Sequence, residues 1–352
     1  MGNKLVTTTG YQTGSEEGVK PDSPLLTVAN LHTYFVSERR TVRAVDDVSF
    51  SIPAGDVLGM VGESGSGKSV CALSIPGLIS PPGRIVSGRI TLGQTNLRDI
   101  SAGELRAVRG RRIGMIFQEP MTALNPVLRC GTQILEMLET HAMPGGENRV
   151  QELLDWVGIP APDRVARAYP HELSGGMRQR VMIAMAVACE PELLIADEPT
   201  TALDVTVQAQ ILELLDRLRR ETGMAVLFIS HDLGVIANLA ARVAVMYAGQ
   251  IQELAARDAL FRQPRHPYTQ GLMAAMPGLE TTTNRLPVIP GQVPDLANLP
   301  QGCRFAPRCP LADEQCRRDA PPWTEDDAHG VRCWKPGETA DFTGQLSDVQ
   351  QG

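Results

Sequence analysis

The sequence has few aromatic residues, no long hydrophobic run and no excess of positive charge. Aromatic residues make up 4% of its 352 residues, and the formal net charge is −7. No apolar run approaches the roughly 20 residues that a helix needs to span a bilayer, so any membrane contact is expected to pass through other proteins. The acidic balance argues against nucleic acid as a partner. Residues 1–24 lack the hydrophobic segment of a secretory signal, and we expect a disordered tail there.

Short apolar runs alternate with a helical pattern along the chain. Five of these runs have the length and composition of buried strands, and they cover residues 57–61, 112–117, 193–196, 225–229 and 243–247. Between two of them, apolar residues follow the i, i+3, i+4, i+7 spacing of a helix that lies on a sheet, namely Ile211, Leu214, Leu215 and Leu218. This alternation predicts an α/β fold with a largely parallel sheet.

A glycine-rich segment directly follows the first predicted strand and precedes a helical pattern. It fits the motif G-x-x-x-x-G-K-[ST], and the matching residues are Gly62, Glu63, Ser64, Gly65, Ser66, Gly67, Lys68 and Ser69. The glycines let successive N–H groups turn towards phosphate oxygens, and the helix start adds its partial positive charge. In this motif the lysine reaches the β- and γ-phosphates and the final hydroxyl ligates Mg²⁺. The segment therefore predicts a nucleoside triphosphate site.

Polar side chains follow the ends of three other predicted strands. Asp197 and Glu198 end an apolar run, and two adjacent carboxylates in such a place are costly to bury without a cation. Gln118 and His231 each follow another strand. Taken alone, the glutamine would be an ordinary loop residue, and a lone histidine is more often structural than functional.

A second glycine-containing segment precedes a long apolar helical pattern. Ser174, Gly175 and Gly176 lie where that helix is expected to begin. The helix start offers backbone N–H groups, a hydroxyl and a dipole to an anion, although a simple serine N-cap explains the same pattern.

Together, these motifs resemble the ATPase subunits of ATP-binding cassette (ABC) transporters. The resemblance implies an ABC-type P-loop NTPase that hydrolyses ATP with Mg²⁺, built on a RecA-like core with an inserted helical subdomain at about 102–192. It implies Mg²⁺ ligation by Ser69, Asp197 and Gln118, the last also sensing the attacking water. Glu198 would be the general base, and His231 would bond to the γ-phosphate and orient the water. Phe35 would stack on adenine, with Tyr34 as an alternative.

The resemblance also implies that the ATP site is shared between two chains. In ABC ATPases, the loop matched by Ser174, Gly175 and Gly176 faces the γ-phosphate that is bound by the partner, and Asp204 belongs to the adjoining D-loop. The next position of the loop is usually glutamine, and here it is Met177. The implied partner is a second ABC ATPase subunit, by family habit a paralogue.

Two further segments resemble the D-type ATPase subunits of dipeptide and oligopeptide permeases. Residues 118–126 match the segment that meets the membrane subunits, and residues 266–269 with 302–310 match a C-terminal extension of that branch. This implies two integral membrane permease subunits, an extracytoplasmic solute-binding protein acting indirectly, and a peripheral position on the cytoplasmic face of the inner membrane. Import of nickel or another small solute is an alternative. A soluble ABC ATPase acting on DNA or ribosomes is the alternative from another class.

Four of the seven cysteines crowd into the last fifth of the chain: Cys303, Cys309, Cys316 and Cys333. A cytosolic ATPase keeps its thiols reduced, which disfavours disulfides. The spacing C-x5-C-x6-C-x16-C differs from the paired C-x2-C of most zinc sites. Four thiolates can hold a [4Fe–4S] cluster, and members of the importer branch resemble this chain in carrying one there. Zinc and four unligated thiols stay open as alternatives.

The motifs divide the chain into four parts. We expect a tail at 1–24, a nucleotide-binding domain at 25–255, a cysteine-containing C-terminal extension at 256–336, and a disordered tail at 337–352. Proline and glycine punctuate residues 287–302, which indicates a connector within the extension.

Overall fold

The computed structural model describes residues 24–118, 123–201, 203–276 and 288–342. Nearly all of the tail predicted for 1–24 lies outside these ranges, as do residues 343–352 of the second tail. Residues 337–342 pack on the molecule, because Phe342 is buried and the N–H of Ala340 donates to Gln270 Oε1 at 2.8 Å. The packed part of the chain thus continues past the predicted boundary at 337.

Twelve strands and eleven α-helices lie in the described ranges. The strands are β1 (Leu26–Val36), β2 (Thr41–Ile52), β3 (Val57–Val61), β4 (Gly83–Leu92), β5 (Thr95–Asn96), β6 (Ile113–Ile116), β7 (Leu193–Asp197), β8 (Ala225–Ser230), β9 (Arg242–Tyr247), β10 (Gln250–Ala256), β11 (Thr324–Asp326) and β12 (His329–Val331). The helices are α1 (Lys68–Ser74), α2 (Ala102–Val108), α3 (Cys130–Thr140), α4 (Gly146–Trp156), α5 (Pro162–Arg167), α6 (Gly175–Val187), α7 (Val205–Thr222), α8 (Leu233–Leu239), α9 (Arg257–Arg262), α10 (Pro267–Ala274) and α11 (Glu314–Arg318).

The main sheet has the strand order β11-β12-β10-β9-β3-β8-β7-β6. Strands β9, β3, β8, β7 and β6 are parallel to one another, whereas β10, β11 and β12 pair antiparallel. Every residue of β3, β7 and β8 is buried, as expected for parallel strands that are covered on both faces. The predicted α/β fold with a largely parallel sheet is confirmed. Its parallel strands all end at one edge, and there the polar side chains of the predicted site meet.

A smaller antiparallel sheet covers one side of helix α1. Its strand order is β2-β1-β4-β5, and Leu26 of β1 pairs with Ile52 of β2 and Leu92 of β4. The hydroxyls of Thr33 and Ser74 hydrogen-bond at 2.8 Å, which ties the sheet to α1. This sheet therefore supports the helix on which the glycine-rich segment ends.

Helices α2 to α6 occupy the chain between β5 and β7, within the range predicted to be helical. Buried leucines and isoleucines of α3 and α4 join one hydrophobic cluster with α6 and α7. The face of α7 predicted from its spacing is buried, at Ile211, Leu214, Leu215 and Leu218. Within the described ranges, no helix combines the length and the hydrophobicity that crossing a membrane requires.

The C-terminal extension is built into the main sheet, which the sequence did not predict. Strand β12 pairs with β10, with Glu253 opposite Val331. The fully buried Glu253 accepts hydrogen bonds from the N–H groups of Arg265 at 2.7 Å and His266 at 2.9 Å, and lies 2.7 Å from His329 Nε2. Burial alone would raise the pKa of Glu253, but these hydrogen bonds hold it below its ordinary value. The extension and the cassette thus share one sheet and one buried polar network.

Candidate nucleotide site

The glycine-rich segment forms a tight loop between β3 and α1. A Cβ atom on Gly62 would lie 2.1 Å from the carbonyl oxygen of Met246, and one on Gly67 would lie 2.1 Å from that of Ala44, so only glycine fits at either place. The N–H of Gly249 donates to the carbonyl oxygen of Ser66 at 2.8 Å, which fixes the loop to the turn between β9 and β10. Ser64 and Gly65 are exposed at its tip. We call residues 62–69 the cradle.

Lys68 lies inside the cradle and is 4% exposed. Its Nζ donates to the carbonyl oxygens of Gly62 at 2.8 Å and Glu63 at 3.0 Å. Burial lowers the pKa of Lys68, and the carboxylates of Glu198, Asp197 and Glu63 oppose that shift. An ammonium group held within a loop of backbone N–H groups is suited to bind a phosphate chain.

Asp197 and Ser69 lie together at the mouth of the cradle. The hydroxyl of Ser69 donates to Asp197 Oδ1 at 3.1 Å. Burial raises the pKa of Asp197, and the charge of Glu198 raises it further, while Ser69 and Lys68 act in the opposite direction. The Ser69 hydroxyl and the buried Asp197 carboxylate offer oxygen ligands, and the repulsion between Asp197 and Glu198 would be relieved by a cation. Such a site suits a hard cation such as Mg²⁺.

Glu198 lies at the centre of a group of polar side chains from three strand ends. Its Oε2 accepts hydrogen bonds from Thr201 Oγ1 at 2.9 Å and Gln118 Nε2 at 3.2 Å, and it lies 3.2 Å from His231 Nδ1. The backbone of Glu198 is left-handed, with φ of +47°. The structure therefore brings together Gln118, Glu198 and His231, which the sequence singled out separately. Thr201 was placed in the D-loop segment by resemblance, but its contact with Glu198 was not predicted.

Ser174 and Asp204 each cap the start of a helix. The hydroxyl of Ser174 accepts a hydrogen bond from the N–H of Met177 at 3.4 Å and caps α6. Asp204 Oδ1 accepts from the N–H of Val207 at 2.9 Å and caps α7. A Cβ on Gly176 would lie 2.8 Å from Val207 Cγ1, so the two helix starts pack against each other. Ser174 thus has the N-cap role that the sequence left open, and Asp204 has the same role, which was not predicted.

Phe35 and Tyr34 lie next to each other on β1 and have different surroundings. The hydroxyl of Tyr34 donates to Asp46, and burial together with this bond raises its pKa to about 12. Phe35 packs close to Ile79 and Gly83 and is partly exposed. The hydroxyl of Tyr34 is thus engaged within the protein, whereas Phe35 has no polar group to satisfy. The contact of Phe35 with adenine stays a prediction.

The four C-terminal cysteines share one neighbourhood, and none of them forms a disulfide. Burial raises the pKa of Cys309 to about 11 and that of Cys333 to about 12, and the nearby thiols of Cys303 and Cys316 add to both shifts. The N–H of Lys335 donates to Cys333 Sγ at 3.3 Å. Even so, no group of three or more His, Cys, Asp or Glu side chains in the described ranges has the arrangement of a metal site. The predicted cluster is therefore not confirmed.

The C-terminal extension reaches the cradle, and no sequence motif indicated this. Arg308 Nη1 lies 3.1 and 3.0 Å from the two carboxylate oxygens of Glu63, and the hydroxyl of Tyr268 accepts the N–H of Glu63 at 2.9 Å. These pairs are separated by 245 and 205 residues along the chain. Such distant contacts leave no local pattern by which they could be found.

Comparisons with known proteins agree with this geometry. Residues 45–201 match the family model described as ABC transporter. Residues 252–316 match the model described as the C-terminal region of oligopeptide/dipeptide transporters.

Similar proteins match along most of the chain. It is 49% identical over 317 residues to the oligopeptide transport ATP-binding protein AppD of Bacillus subtilis (strain 168), covering 89% of this chain and 97% of that protein. It is 49% identical over 300 residues to the dipeptide transport ATP-binding protein DppD of Escherichia coli (strain K12), covering 84% and 92%. A solved dimeric ATP-binding cassette, in a post-hydrolysis state with ADP and Pi, aligns with a TM-score of 0.60 at 27% identity, over 66% of this chain and 98% of that one.

Proposed function

The chain belongs to the ABC transporter family, in its oligopeptide/dipeptide branch, and from this we propose that it is the ATPase subunit that energises import of di- and oligopeptides. The observation that carries the proposal is the group around Glu198, in which Gln118 and His231 converge on one carboxylate beside the cradle. The names of the relatives AppD and DppD support the peptide as the transported solute.

The cradle binds the phosphate chain of ATP. Nζ of Lys68, which the carbonyl oxygens of Gly62 and Glu63 hold inside the cradle, binds the β- and γ-phosphates. Ser69, Asp197 and Gln118 would hold Mg²⁺, which neutralises negative charge on the phosphates. Phe35 provides an apolar face for adenine.

Glu198 acts as the general base for the attacking water. Thr201, Gln118 and His231 fix one oxygen of its carboxylate and leave the other available to accept a proton. His231 is well exposed, with 63% of its side chain accessible, so it can also bond to the γ-phosphate. The proton moves from water to the carboxylate as the water oxygen bonds to the γ-phosphorus, while the bond from that phosphorus to the β-phosphate oxygen breaks and ADP leaves.

A second ATPase subunit completes the site. Ser174, Gly175 and Gly176 at the start of α6, with Asp204 at the start of α7, face the γ-phosphate bound by the partner. The helix N-terminus supplies N–H groups and partial positive charge. The similar cassette of known structure is dimeric, which supports a second subunit. By the habit of the family, the partner is a paralogue.

The permease subunits dock beside the segment 118–126. A cavity of about 180 Å³ opens there, with an apolar lining that includes Phe117, Leu124, Met137 and Met182. Phe117 is 40% exposed, although it is a large hydrophobic residue. Residues 119–122 of the segment lie outside the described ranges. An apolar segment of a permease fits this chemistry, and it would place the chain on the cytoplasmic face of the membrane, with a solute-binding protein acting on the other side.

We also propose that Cys303, Cys309, Cys316 and Cys333 would hold a [4Fe–4S] cluster. Their shared neighbourhood and the N–H donor to Cys333 Sγ support the four cysteines as a set of ligands. The cluster would supply cross-links that order the extension.

The change Glu198→Gln tests the function. We expect kcat for ATP hydrolysis to fall at least about 100-fold, because the amide cannot accept the proton. Binding of ATP should be retained, since the cradle is untouched. Phosphate release and equilibrium binding of a fluorescent ATP analogue measure the two effects.

Glu192→Gln is the matched control, because Glu192 forms an exposed ion pair with Arg112 on the same sheet. It should hydrolyse ATP at the rate of the unmodified chain. Unchanged turnover in Glu198→Gln would remove Glu198 from the role of base.

A further inference from the structure

We propose that Arg308 of the C-terminal extension is a positioning residue for the cradle, acting through Glu63 together with Tyr268. This inference rests on the proposed function and adds a group that no motif of the nucleotide site contains. It assigns to the extension a part in nucleotide binding.

Arg308 is held so that its guanidinium faces Glu63. The side chain is 5% exposed. Its Nε donates to the carbonyl oxygen of Pro290 at 2.8 Å and its Nη2 to that of Ile289 at 3.2 Å. The guanidinium carbon lies 5.7 Å from the centre of the Tyr247 ring. With these contacts fixing the plane, Nη1 is left to bond with both carboxylate oxygens of Glu63.

Tyr268 holds the backbone of the same residue. Its hydroxyl accepts the N–H of Glu63 at 2.9 Å, and its ring is fully buried. The ring centre lies 4.6 Å from that of Tyr247 and 5.3 Å from that of Phe305, so it cannot move without disturbing an aromatic cluster. Both the side chain and the peptide N–H of Glu63 are therefore bound by the extension.

The contacts from the extension add to those that Lys68 makes within the cradle. Lys68 supports the first turn of the cradle through the carbonyl oxygens of Gly62 and Glu63. Arg308 and Tyr268 hold Glu63 by its carboxylate and its N–H. The loop is therefore ordered before nucleotide binds, and its ordering does not reduce the binding free energy.

The fold around the cysteines carries the anchors of the extension. Three arginines of this region form ion pairs with carboxylates of the cassette, and each is the direct neighbour of a cysteine in sequence. The pairs are Arg304–Asp46 beside Cys303, Arg308–Glu63 beside Cys309, and Arg332–Asp47 beside Cys333. Arg308 is the one of the three that reaches the cradle itself.

The change Arg308→Gln in the full-length chain tests the proposal. We expect the KM for ATP to rise about 3- to 30-fold with kcat nearly unchanged, because a preformed cradle binds substrate and transition state alike. Arg308→Lys should recover part of the loss, since an ammonium can still pair with Glu63. A matched rise in the dissociation constant of a fluorescent ADP analogue is expected.

Glu63→Gln and Tyr268→Phe keep the test decisive if Arg308→Gln does not fold. Each removes one contact and retains the packing, and each should raise the KM. The double variant Arg308→Gln/Glu63→Gln should be no weaker than the poorer single variant. Arg318→Gln is the control, because Arg318 forms an exposed ion pair with Asp319 in the extension, and the KM of this variant should not change.

Two results would overturn the inference. One is an unchanged KM in folded Arg308→Gln, Glu63→Gln and Tyr268→Phe. The other is an equal fall in kcat and kcat/KM, which would indicate a role confined to the transition state. If the unmodified chain binds no ATP, the proposed function fails and the inference fails with it.

Discussion

At the scale of residues, Glu198 is the most constrained side chain of the site. Its left-handed backbone is unfavourable for a residue with a Cβ, so the surrounding bonds must stabilise it. Its N–H donates to the carbonyl oxygen of Ile229 at 3.0 Å, and Thr201, Gln118 and His231 hold the carboxylate. The backbone conformation of Glu198 and the three hydrogen-bonded side chains together fix the orientation of its carboxylate beside the cradle.

Thr201→Val tests whether the threonine hydroxyl positions Glu198. Loss of one hydrogen bond to the carboxylate should lower kcat about 2- to 10-fold, and the KM for ATP should stay the same. Thr201→Ser keeps the hydroxyl and should keep the rate. A steady-state assay of phosphate release compares the three proteins, and equal rates in all of them would show that the hydroxyl has no positioning role.

Sequence reasoning located those residues of the site that follow a strand end. Gln118, Glu198 and His231 come together because parallel strands β6, β7 and β8 end at one edge, and the strands were visible as apolar runs. Arg308 and Tyr268 could not be found in this way. Their contacts with Glu63 depend on how the extension packs, and nothing in the local pattern around them encodes that.

At the scale of elements, the residues at the N-termini of α6 and α7 have a structural role and a proposed role in phosphate binding. Ser174 and Asp204 cap α6 and α7 by accepting N–H hydrogen bonds. Capping uses an acceptor of the serine oxygen and leaves its O–H free to donate. The structural role that the sequence left open is therefore compatible with the proposed contact to a phosphate held by the partner.

The strands of the small sheet and the C-terminal strands were not predicted from the sequence. The apolar runs predicted the parallel strands of the main sheet, but they did not predict β1, β2, β4 or β10. Antiparallel strands with one covered face contain polar residues at alternate positions, so they do not appear as continuous apolar runs. The pairing of β12 with β10 joins residues about 77 positions apart, and distant pairing of that kind has no local signal.

A buried histidine at the start of helix α10 should make the stability of the protein depend on pH. His266 is buried and caps α10 through Nδ1, which accepts the N–H of Tyr268 at 2.9 Å. Burial lowers the pKa of His266 to about 4, although Glu253 opposes the shift. The unfolded chain therefore binds a proton at a higher pH than the folded chain. Stability should fall by up to about 3 kcal/mol as the pH drops from about 6.5 to about 4.

His266→Asn removes the titrating ring and keeps an N-cap acceptor. Its melting temperature should decline less than that of the unmodified chain between pH 7 and pH 4.5, as followed by circular dichroism. His171→Asn, at an exposed position, serves as the control and should decline like the unmodified chain. An identical decline in His266→Asn would assign the acid sensitivity to other groups.

At the scale of the whole molecule, the extension is part of the nucleotide-binding unit. It adds β11 and β12 to the main sheet and buries Glu253 of the cassette. One of its three arginine anchors pairs with Glu63 of the cradle, and the other two pair with Asp46 and Asp47 of β2. A substitution in the cysteine region should therefore alter the binding of ATP, even though the cysteines and the ATP site are far apart in sequence.

The proposed cluster can be tested directly by the absorbance and the iron content of the purified protein. Anaerobically purified protein should be brown, absorb in the iron–sulfur band and contain iron. Cys309→Ala should lose both iron and colour, because it removes one of four ligands. Cys189→Ala, which changes a buried cysteine of the cassette, should retain them. Colourless unmodified protein without iron would rule the cluster out.

The contact between Arg308 and Glu63 also has a consequence for biosynthesis. The two residues are 245 positions apart, and a ribosome adds about 5–20 residues per second, so about 12–50 s pass between their synthesis. During that interval the glycine-rich loop and its lysine already exist, but the arginine that supports them has not been made. With the role proposed for Arg308, a newly synthesised subunit reaches its full affinity for ATP only after Arg308 has been synthesised.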